Sequence, residues 1–475
     1  MDYYNTVKNN TTSKYQYFFG QDKKMNYKIE LPEKVSQIIN KLNNEGFEAY
    51  AVGGCVRDSL LGRVPDDWDI TTSALPLEVK RIFRRTVDTG IKHGTVTVML
   101  GDEGFEVTTF RVDGEYTDHR HPSGVEFTRD LREDLLRRDF TINAMAYSEK
   151  TGIVDMYGGM EDLAAKVIKA VGDPDARFDE DALRIMRAVR FAAQLGFSIE
   201  EETRAAILRH VEFLKDVSEE RIETELTKLI ISPHPEFIEN AYDLGITKVI
   251  LPEFDKMMET PQNNPFHMYD VGRHTIKVMQ GVPATKLMRY TALLHDISKP
   301  DCKTTDEKGI DHFKMHSLLG ADKARDIMKR LKMDNDIIKS VTRLIYWHDY
   351  GIYGDFTKRS LRRMLNKLGA ENFPDFLAVR RGDMFGQSNY RKEEKEENYR
   401  YLEKLYNEIM AEGNCLTVKE LDIKGQDIMQ LGIPAGPKVG ETLNYLLEKV
   451  MDEPELNTRE ELTKLAEEYI KNNQE

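Results

Sequence analysis

The sequence predicts an α+β fold, with a small mixed sheet in the first third of the chain and a mostly α-helical remainder. Two observations carry this. Before residue 112, short apolar or alternating runs bounded by glycine, such as Tyr50–Val52 and Gly104–Arg111, interrupt short helical segments. From Arg177 onward the apolar residues recur at helical spacing. At 475 residues the chain has room for about three domains.

Residues 1 to 25 are polar and aperiodic and read as a disordered extension, with Met25 as an alternative start. Pro32 opens a helix with Val35, Ile38, Ile39 and Leu42 on one face. Tyr50–Val52 reads as a buried strand, and Gly53-Gly54 lets the backbone turn tightly and approach a phosphate. A helix from Cys55 to Leu61 would aim its first amides at that phosphate. Beyond Pro65, Asp67-Trp68-Asp69-Ile70 reads as the start of a strand, which puts Asp67 and Asp69 on one face. Two carboxylates so spaced can hold two magnesium ions, which favour oxygen ligands and substrate phosphates. A surface strand of alternating charge would explain the acids but not the paired glycines, nor Arg57-Asp58 just beyond them.

Pro76–Arg85 reads as a basic amphipathic helix, and Gly90–Leu100 and Gly104–Arg111 as two strands. Paired as a hairpin beside the acidic strand, they bring Glu106 to Asp67 and Asp69. A third carboxylate there suits a general base or an outer metal ligand. Arg111–Phe127 is a polar loop long enough to be functional or disordered. Its His119 and His121 have no partners at ligand spacing and read as solvated. Arg137, Arg138 and Asn143 are donors in a stretch that turns apolar, which suits a triphosphate clamp. Asp139 between them either orients the arginines or caps a helix.

Three runs carry a resemblance: Gly-Gly-x-Val-Arg-Asp-x-Leu-Leu-Gly from Gly53, Asp-x-Asp-Ile-Thr from Asp67, and Arg-Arg-Asp-Phe-Thr-Ile-Asn-Ala-Met-Ala from Arg137. Together they resemble the head of the polymerase-β-like nucleotidyltransferases, and within them the bacterial CCA-adding enzymes and their poly(A) polymerase relatives. The resemblance implies a polymerase-β-like head followed by a helical neck, body and tail. It gives Glu106 the position of the family's third acid. It associates the loop after Arg111 with the switch from C to A addition, and makes Asp155–Leu163 a hinge-like third motif.

Arg177–Phe197 has no wholly polar side if helical, so Arg184, Arg187 and Arg190 are not mere surface charges. Asp181 and Arg184, at i and i+3, become neighbours. An acid acceptor beside an arginine donor matches the Watson–Crick edge of cytosine or adenine, each with an amino donor next to a ring-nitrogen acceptor. One such pair selects C and A together without a template. Glu-Asp-x-x-Arg is also the resembling family's nucleotide-selecting motif, here Glu180, Asp181 and Arg184. Gly53, Gly54, Arg57, Arg138 and Arg187 would cradle the triphosphate, with Asp139, Asn143 and Arg190 completing the nucleotide-binding set. Glu201–Leu214 and Ser218–Ile231 read as helices of the neck and RNA-binding region.

Six of the eleven histidines fall between His267 and His348. His and Asp contributed from separate helices are the ligands of a transition-metal site that activates water. The order His274, then His295-Asp296, then Asp383 resembles the HD phosphohydrolase domain, with His316 and His348 available for a second metal or a phosphate. Lys392–Tyr406 reads as a charged, solvated connector, and Gly436-Pro437 as the start of a last helix whose amides, with Lys438, could hold an RNA phosphate.

The net charge of −14 argues against indiscriminate nucleic-acid binding, so RNA contact must come from a local basic face. No apolar run is long enough for a bilayer, no charged-then-apolar leader opens the chain, and three scattered cysteines form no disulfide or zinc pattern, which together point to the cytoplasm. The expected protein has a nucleotidyltransferase head over 26–168, a neck and RNA-binding region over 169–260, an HD metal-binding domain over 261–391 and a tRNA-binding tail over 392–475. It adds CCA to the tRNA 3′ end from CTP and ATP with Mg2+, and holds a further transition metal at the histidines. Poly(A) polymerase or partial A addition are alternatives within the class, and an HD phosphohydrolase with an RNA-binding head is one outside it.

Overall fold

The computed structural model describes residues 28–114, 124–350, 356–413 and 415–473. The expectations for residues 1–25, His119 and His121 lie outside them. The chain divides into two compact units, residues 1–250 and 251–475.

The first unit opens with α1 (Glu33–Asn44), whose Val35, Ile38, Ile39 and Leu42 are buried as their spacing predicts. β1 (Ala49–Val52) and α2 (Gly54–Leu60) follow, then β2 (Ile70–Thr72) and α3 (Pro76–Ile82). β3 (Thr86–Gly90), β4 (Thr95–Leu100) and β5 (Glu103–Thr109) form a meander. The expected single strand over Gly90–Leu100 is therefore corrected: Gly90 ends β3, a 3-10 turn spans Ile91–His93, and the strand resumes at Thr95. Gly94 provides the left-handed residue that reverses the chain, at φ 88°.

β6 (Arg111–Asp113) and β7 (Val125–Phe127) pair as a short antiparallel ribbon, so both ends of the expected loop are ordered. α4 (Leu131–Leu136), β8 (Met145–Ser148), β9 (Gly152–Asp155) and α5 (Gly159–Ala165) complete the head. Its seven-stranded mixed sheet runs β3-β4-β5-β2-β1-β8-β9, with only the β5–β2 pair parallel. Tyr50, Val52, Phe110, Leu135, Ala144 and Ala146 form the core between sheet and α4.

The two-residue strands β10 (Val167–Ile168) and β11 (Ser198–Ile199) pair in parallel. Between them lie α6 (Pro174–Glu180) and α7 (Leu183–Leu195). α8 (Glu201–His210), α9 (Glu219–Ile230), α10 (Ile238–Asp243) and α11 (Ile246–Ile250) end the unit. The expected continuous helix across Asp181 is broken. Asp181 is extended, at φ −143° and ψ 102°, and its carboxylate accepts the Leu183 amide at 3.1 Å. An aspartate that bonds the backbone two residues on ends one helix and starts another.

The second unit is helical: α12 (Pro252–Met258), α13 (Val271–Gly281), α14 (Lys286–Leu294), α15 (Lys299–Cys302), α16 (His316–Arg330), α17 (Asn335–Trp347), α18 (Lys358–Leu368) and α19 (Phe373–Gly386). One hairpin, β12 (Lys303–Thr305) and β13 (Asp311–Phe313), interrupts it. α20 (Lys392–Ala411) buries Lys395, Tyr399, Leu402, Leu405 and Ile409, so it is not the solvated connector its charge suggested. α21 (Gly425–Gln430), α22 (Pro437–Asp452) and α23 (Arg459–Asn472) enclose a small core of their own around Leu446, Leu447, Val450 and Leu462. No described helix is long and apolar enough to cross a membrane.

Candidate functional site

The head site is built at the ends of β1, β2 and β5. Asp67 and Asp69 lie in the extended segment just before β2, not in a strand, which corrects their expected placement. The segment is still tied to the sheet, because the Val52 amide donates to the Asp69 carbonyl at 3.0 Å. β2 and β5 are parallel with Ile70 opposite Val107, so Asp69 and Glu106 precede matched residues on adjacent strands. Asp69 is solvent-exposed as a residue, yet its carboxyl is raised above the usual range. Desolvation is the largest cause, followed by the charges of Asp67 and Glu106, against the pull of Arg138. The charges of Asp67 and Glu106 thus both act on Asp69, and oxygen donors of this kind suit a divalent cation.

Gly53 turns the chain from β1 into α2 at φ 84° and ψ −131°, a region closed to other residues. A Cβ there would also stand 3.1 Å from Arg138 Nη1, so the arginine lies directly over the turn. Asp134, wholly buried on α4, anchors this corner. It accepts from Arg137 Nη2 at 2.7 Å and from Thr71 Oγ1 at 3.1 Å, and lies 3.5 Å from Arg138. Burial alone would raise its carboxyl, but Arg137 and Arg138 more than offset that and hold it below the usual range.

Arg57 is buried, with its guanidinium on Asp58 and on Asn143 Oδ1 at 2.6 Å. Asn143 donates in turn to Asp139 at 3.1 Å. Asp139 also takes Arg187 Nε at 2.8 Å and Nη2 at 2.6 Å. Burial opposes ionisation of Asp139, but Arg187 and Asn143 hold its carboxyl well below the usual range. Arg57, Asn143, Asp139 and Arg187 thus form one polar chain from the glycine turn to α7. Gly54 starts α2 beside it.

On α6 and α7 the partners differ from those expected. Arg184 bonds Glu180 at 2.5 Å and the carbonyls of Arg177 and Arg137, not the Asp181 carboxylate. Asp181 instead accepts Arg221 Nη2 of α9 at 2.8 Å, and Arg221 Nη1 is buried without a partner. Arg190 stacks on Phe191 at 3.5 Å and bonds Glu225 at 2.8 Å, and Arg187 lies over the same ring at 5.3 Å. Asp134, Arg221 and Glu225 were not singled out in the sequence. Only the partners the fold brings to them reveal them.

In the second unit, His274 and Asp383 come from α13 and α19, while His295-Asp296 follows α14, His316 starts α16 and His348 follows α17. Each Nδ1 faces a backbone carbonyl: Gly386 at 3.1 Å for His274, Ala292 at 2.7 Å for His295, Phe313 at 2.7 Å for His316 and Ile345 at 2.6 Å for His348. These bonds assign the proton to Nδ1 and leave every Nε2 lone pair facing inward. The inward atoms form two groups, His274–His295–Asp383 and Asp296–His316–His348, each within 4.8 Å. His316 and His348 set Nε2 against Nε2 at 3.2 Å, two acceptors with nothing between them. His274 Nε2 stands 3.0 Å from Asp383 and His295 Nε2 3.1 Å from Asp296, whose Oδ2 also meets Lys299 Nζ at 2.7 Å. Burial drives the His316 imidazole down to about 4, so it is neutral at pH 7. A buried set of imidazoles and carboxylates fits transition-metal ions.

A glycine turn, clustered carboxylates at the end of a mixed sheet and a row of arginines together define a nucleotidyltransferase of the class that works with divalent metal ions. The profile of the Poly A polymerase head domain matches residues 49–169. A polymerase A RNA- and SrmB-binding profile follows over 196–258, and a second-domain profile of tRNA nucleotidyltransferases over 304–466. A CCA-adding enzyme of Geobacillus sp. (strain WCH70) is 35% identical over 438 residues, covering 90% of this chain and 95% of the relative. That of Lactobacillus helveticus (strain DPC 4571) is 55% identical over 201 residues, a match spanning 50% of the relative's length. The crystal structure of the Bacillus stearothermophilus CCA-adding enzyme in complex with CTP superposes with a TM-score of 0.66 at 30% identity, covering 92% of this chain and 97% of that one. The chain belongs to the CCA-adding enzyme family.

Proposed function

We propose that the chain completes the 3′ end of tRNA with CCA, using CTP and ATP and no nucleic-acid template, in the cytoplasm. The convergence of Asp67, Asp69 and Glu106 beside the Gly53 turn and Arg138 carries this reading. Asp67 and Asp69 would hold magnesium, which when bound activates the tRNA 3′ hydroxyl for in-line attack and neutralises the leaving pyrophosphate. Glu106 would accept the hydroxyl proton or order the metal's water. Gly53 and Gly54 leave room for phosphate, Arg138 and Arg187 supply positive charge to it, and Asp139 holds Arg187 in place. Arg57 and Asn143 brace that joint. Asp181 and Arg184 read the base edge, with Arg184 exchanging its Glu180 contact for the nucleotide.

The head is assigned to residues 26–168, the neck and RNA-binding region to 169–260, a metal-binding HD domain to 261–391 and a tRNA-binding tail to 392–475. In the HD domain His274, His295, Asp296 and Asp383 hold a transition metal and His316 and His348, with Asp296, a second, to activate water on a phosphoester. Incorporation of labelled CTP and ATP into tRNA ending before CCA, after C and after CC tests the main assignment. CCA on all three transcripts is expected. Addition of A alone to the CC-ended tRNA, or long A tails on arbitrary RNA, would replace it.

A further inference from the structure

We propose that α20 is a wall of the histidine-lined metal cavity and that its Lys395 binds the phosphate group of whatever occupies that cavity. The inference rests on the metal reading of the preceding section and adds a residue outside the ligand set. The cavity is about 550 Å³, within the range of sites that take one small molecule, and it is lined by Asp296, His316, His348 and Asp383 together with Lys395 and Tyr399 of α20.

Lys395 and Tyr399 are four residues apart and share the inward stripe of a helix whose other faces are charged. Lys395 is 6% exposed. Its ammonium donates to Gln387 Oε1 and lies 4.6 Å from the Phe266 ring centre, and among the described residues no carboxylate is in ion-pair contact with it. A buried charge without a counter-charge is costly, and proteins keep one where a ligand will supply it.

The available counter-charge is at one remove. Gln387 Nε2 donates to Asp383 Oδ2 at 2.9 Å, so Lys395 feels Asp383 through an amide. Asp383 is also a candidate ligand, grouped with His274 and His295. Once its charge is spent on a divalent ion, Lys395 has no carboxylate in ion-pair contact among the described residues to replace it. Of the other three carboxylates in the lining, Asp311 is paired to Lys303 at 2.8 Å and Asp296 to Lys299 at 2.7 Å, and among the described residues none of the three is in ion-pair contact with Lys395. Around the cavity four cationic side chains, Lys299, Lys314, Arg380 and Lys395, meet four carboxylates. Every charge brought by bound metal is therefore an excess positive charge, to be met by the ligand. An oxyanion bridging metal and Lys395 meets it, and phosphate is the oxyanion that water-activating metal chemistry acts on.

The test uses the full-length chain. Bound Mn2+ or Co2+ is counted after chelator treatment and reloading, then inorganic phosphate is titrated calorimetrically into metal-loaded wild type, Lys395→Met and Lys395→Arg. Two ions per chain at the histidine cluster, counted as the excess over a His274→Ala/His295→Ala control that keeps the head carboxylates, are expected in all three proteins. Phosphate affinity should fall at least tenfold in Lys395→Met and be retained in Lys395→Arg. Equal affinity in wild type and Lys395→Met overturns the proposal, as does metal-loaded wild type that binds no phosphate. Should Lys395→Met not fold, wild type alone decides: phosphate must raise its melting temperature only after metal loading, and a rise without metal overturns the inference. Failure of wild type to bind any metal defeats the metal reading instead, and is distinguishable because it is measured first.

Discussion

Asp139→Asn tests whether one buried carboxylate holds the arginine row of the head. Asp139 accepts the Phe140 amide at 2.8 Å, Asn143 at 3.1 Å, and Arg187 twice, at 2.8 and 2.6 Å. Breaking a buried charge pair by removing one partner costs about 3–5 kcal/mol. Arg187 keeps 33% of its side chain in water and has Glu225 at 3.9 Å, so solvent screening brings the cost below that range, to about 2–3 kcal/mol. At roughly 2–4 °C per kcal/mol for a unit of this size, the first transition should fall by about 4–12 °C at pH 7. The sign with pH is fixed by the depressed folded-state carboxyl. Its contribution is present above the ordinary carboxylate value of about 4 and is lost as pH falls toward the folded value. Wild type should thus lose more stability than the variant between about pH 4 and pH 2. Circular-dichroism melts across that range read both effects, and KM for ATP should rise about tenfold as Arg187 loosens. A melting point within about 1 °C of wild type, with an unchanged acid limb, would refute the reasoning.

Gly53→Ala must place a side chain at φ 84° and 3.1 Å from Arg138 Nη1, so stability should drop by about 1–3 kcal/mol and incorporation more than tenfold, measured by melting and by single turnover. Arg221→Met releases Asp181 and should lower discrimination of CTP and ATP against UTP and GTP about tenfold, the worth of one charged hydrogen bond, read as a ratio of kcat/KM. Saturating the histidine cluster with Co2+ at about a hundred times Kd should stabilise the second unit by about 2.7 kcal/mol, and His295→Ala should lower both the stoichiometry and this gain. An unshifted second transition on metal addition would count against that site.

How far the site was legible depends on how local its signals are. Gly53-Gly54, Asp67-x-Asp69 and the run from Arg137 are contiguous, so their residue types show without knowledge of the fold, although Asp67 and Asp69 lie before β2 and not in the strand expected for them. Glu106 needed one further step, the β4–β5 hairpin, and register supplied it. Asp134 and Glu225 look like ordinary helical acids in sequence, and their role exists only because distant arginines fold onto them. The break at Asp181 has neither Gly nor Pro to announce it and depends on a side chain turning back to its own backbone. β8 and β9 are four residues each, too short to show a period. Lys395 was hidden differently: 20 residues rich in Glu and Lys read as surface, while one inward stripe of the helix decided its burial.

The central claim is that Asp67 and Asp69 carry the metal-dependent transfer. The most direct measurement is single-turnover addition of labelled CTP to tRNA lacking CCA by wild type, Asp67→Ala and Asp69→Ala, with tRNA and CTP binding measured alongside. Either variant should lose at least about a thousandfold in rate while binding both substrates within a few-fold of wild type. A rate within about tenfold of wild type in Asp67→Ala would contradict the account.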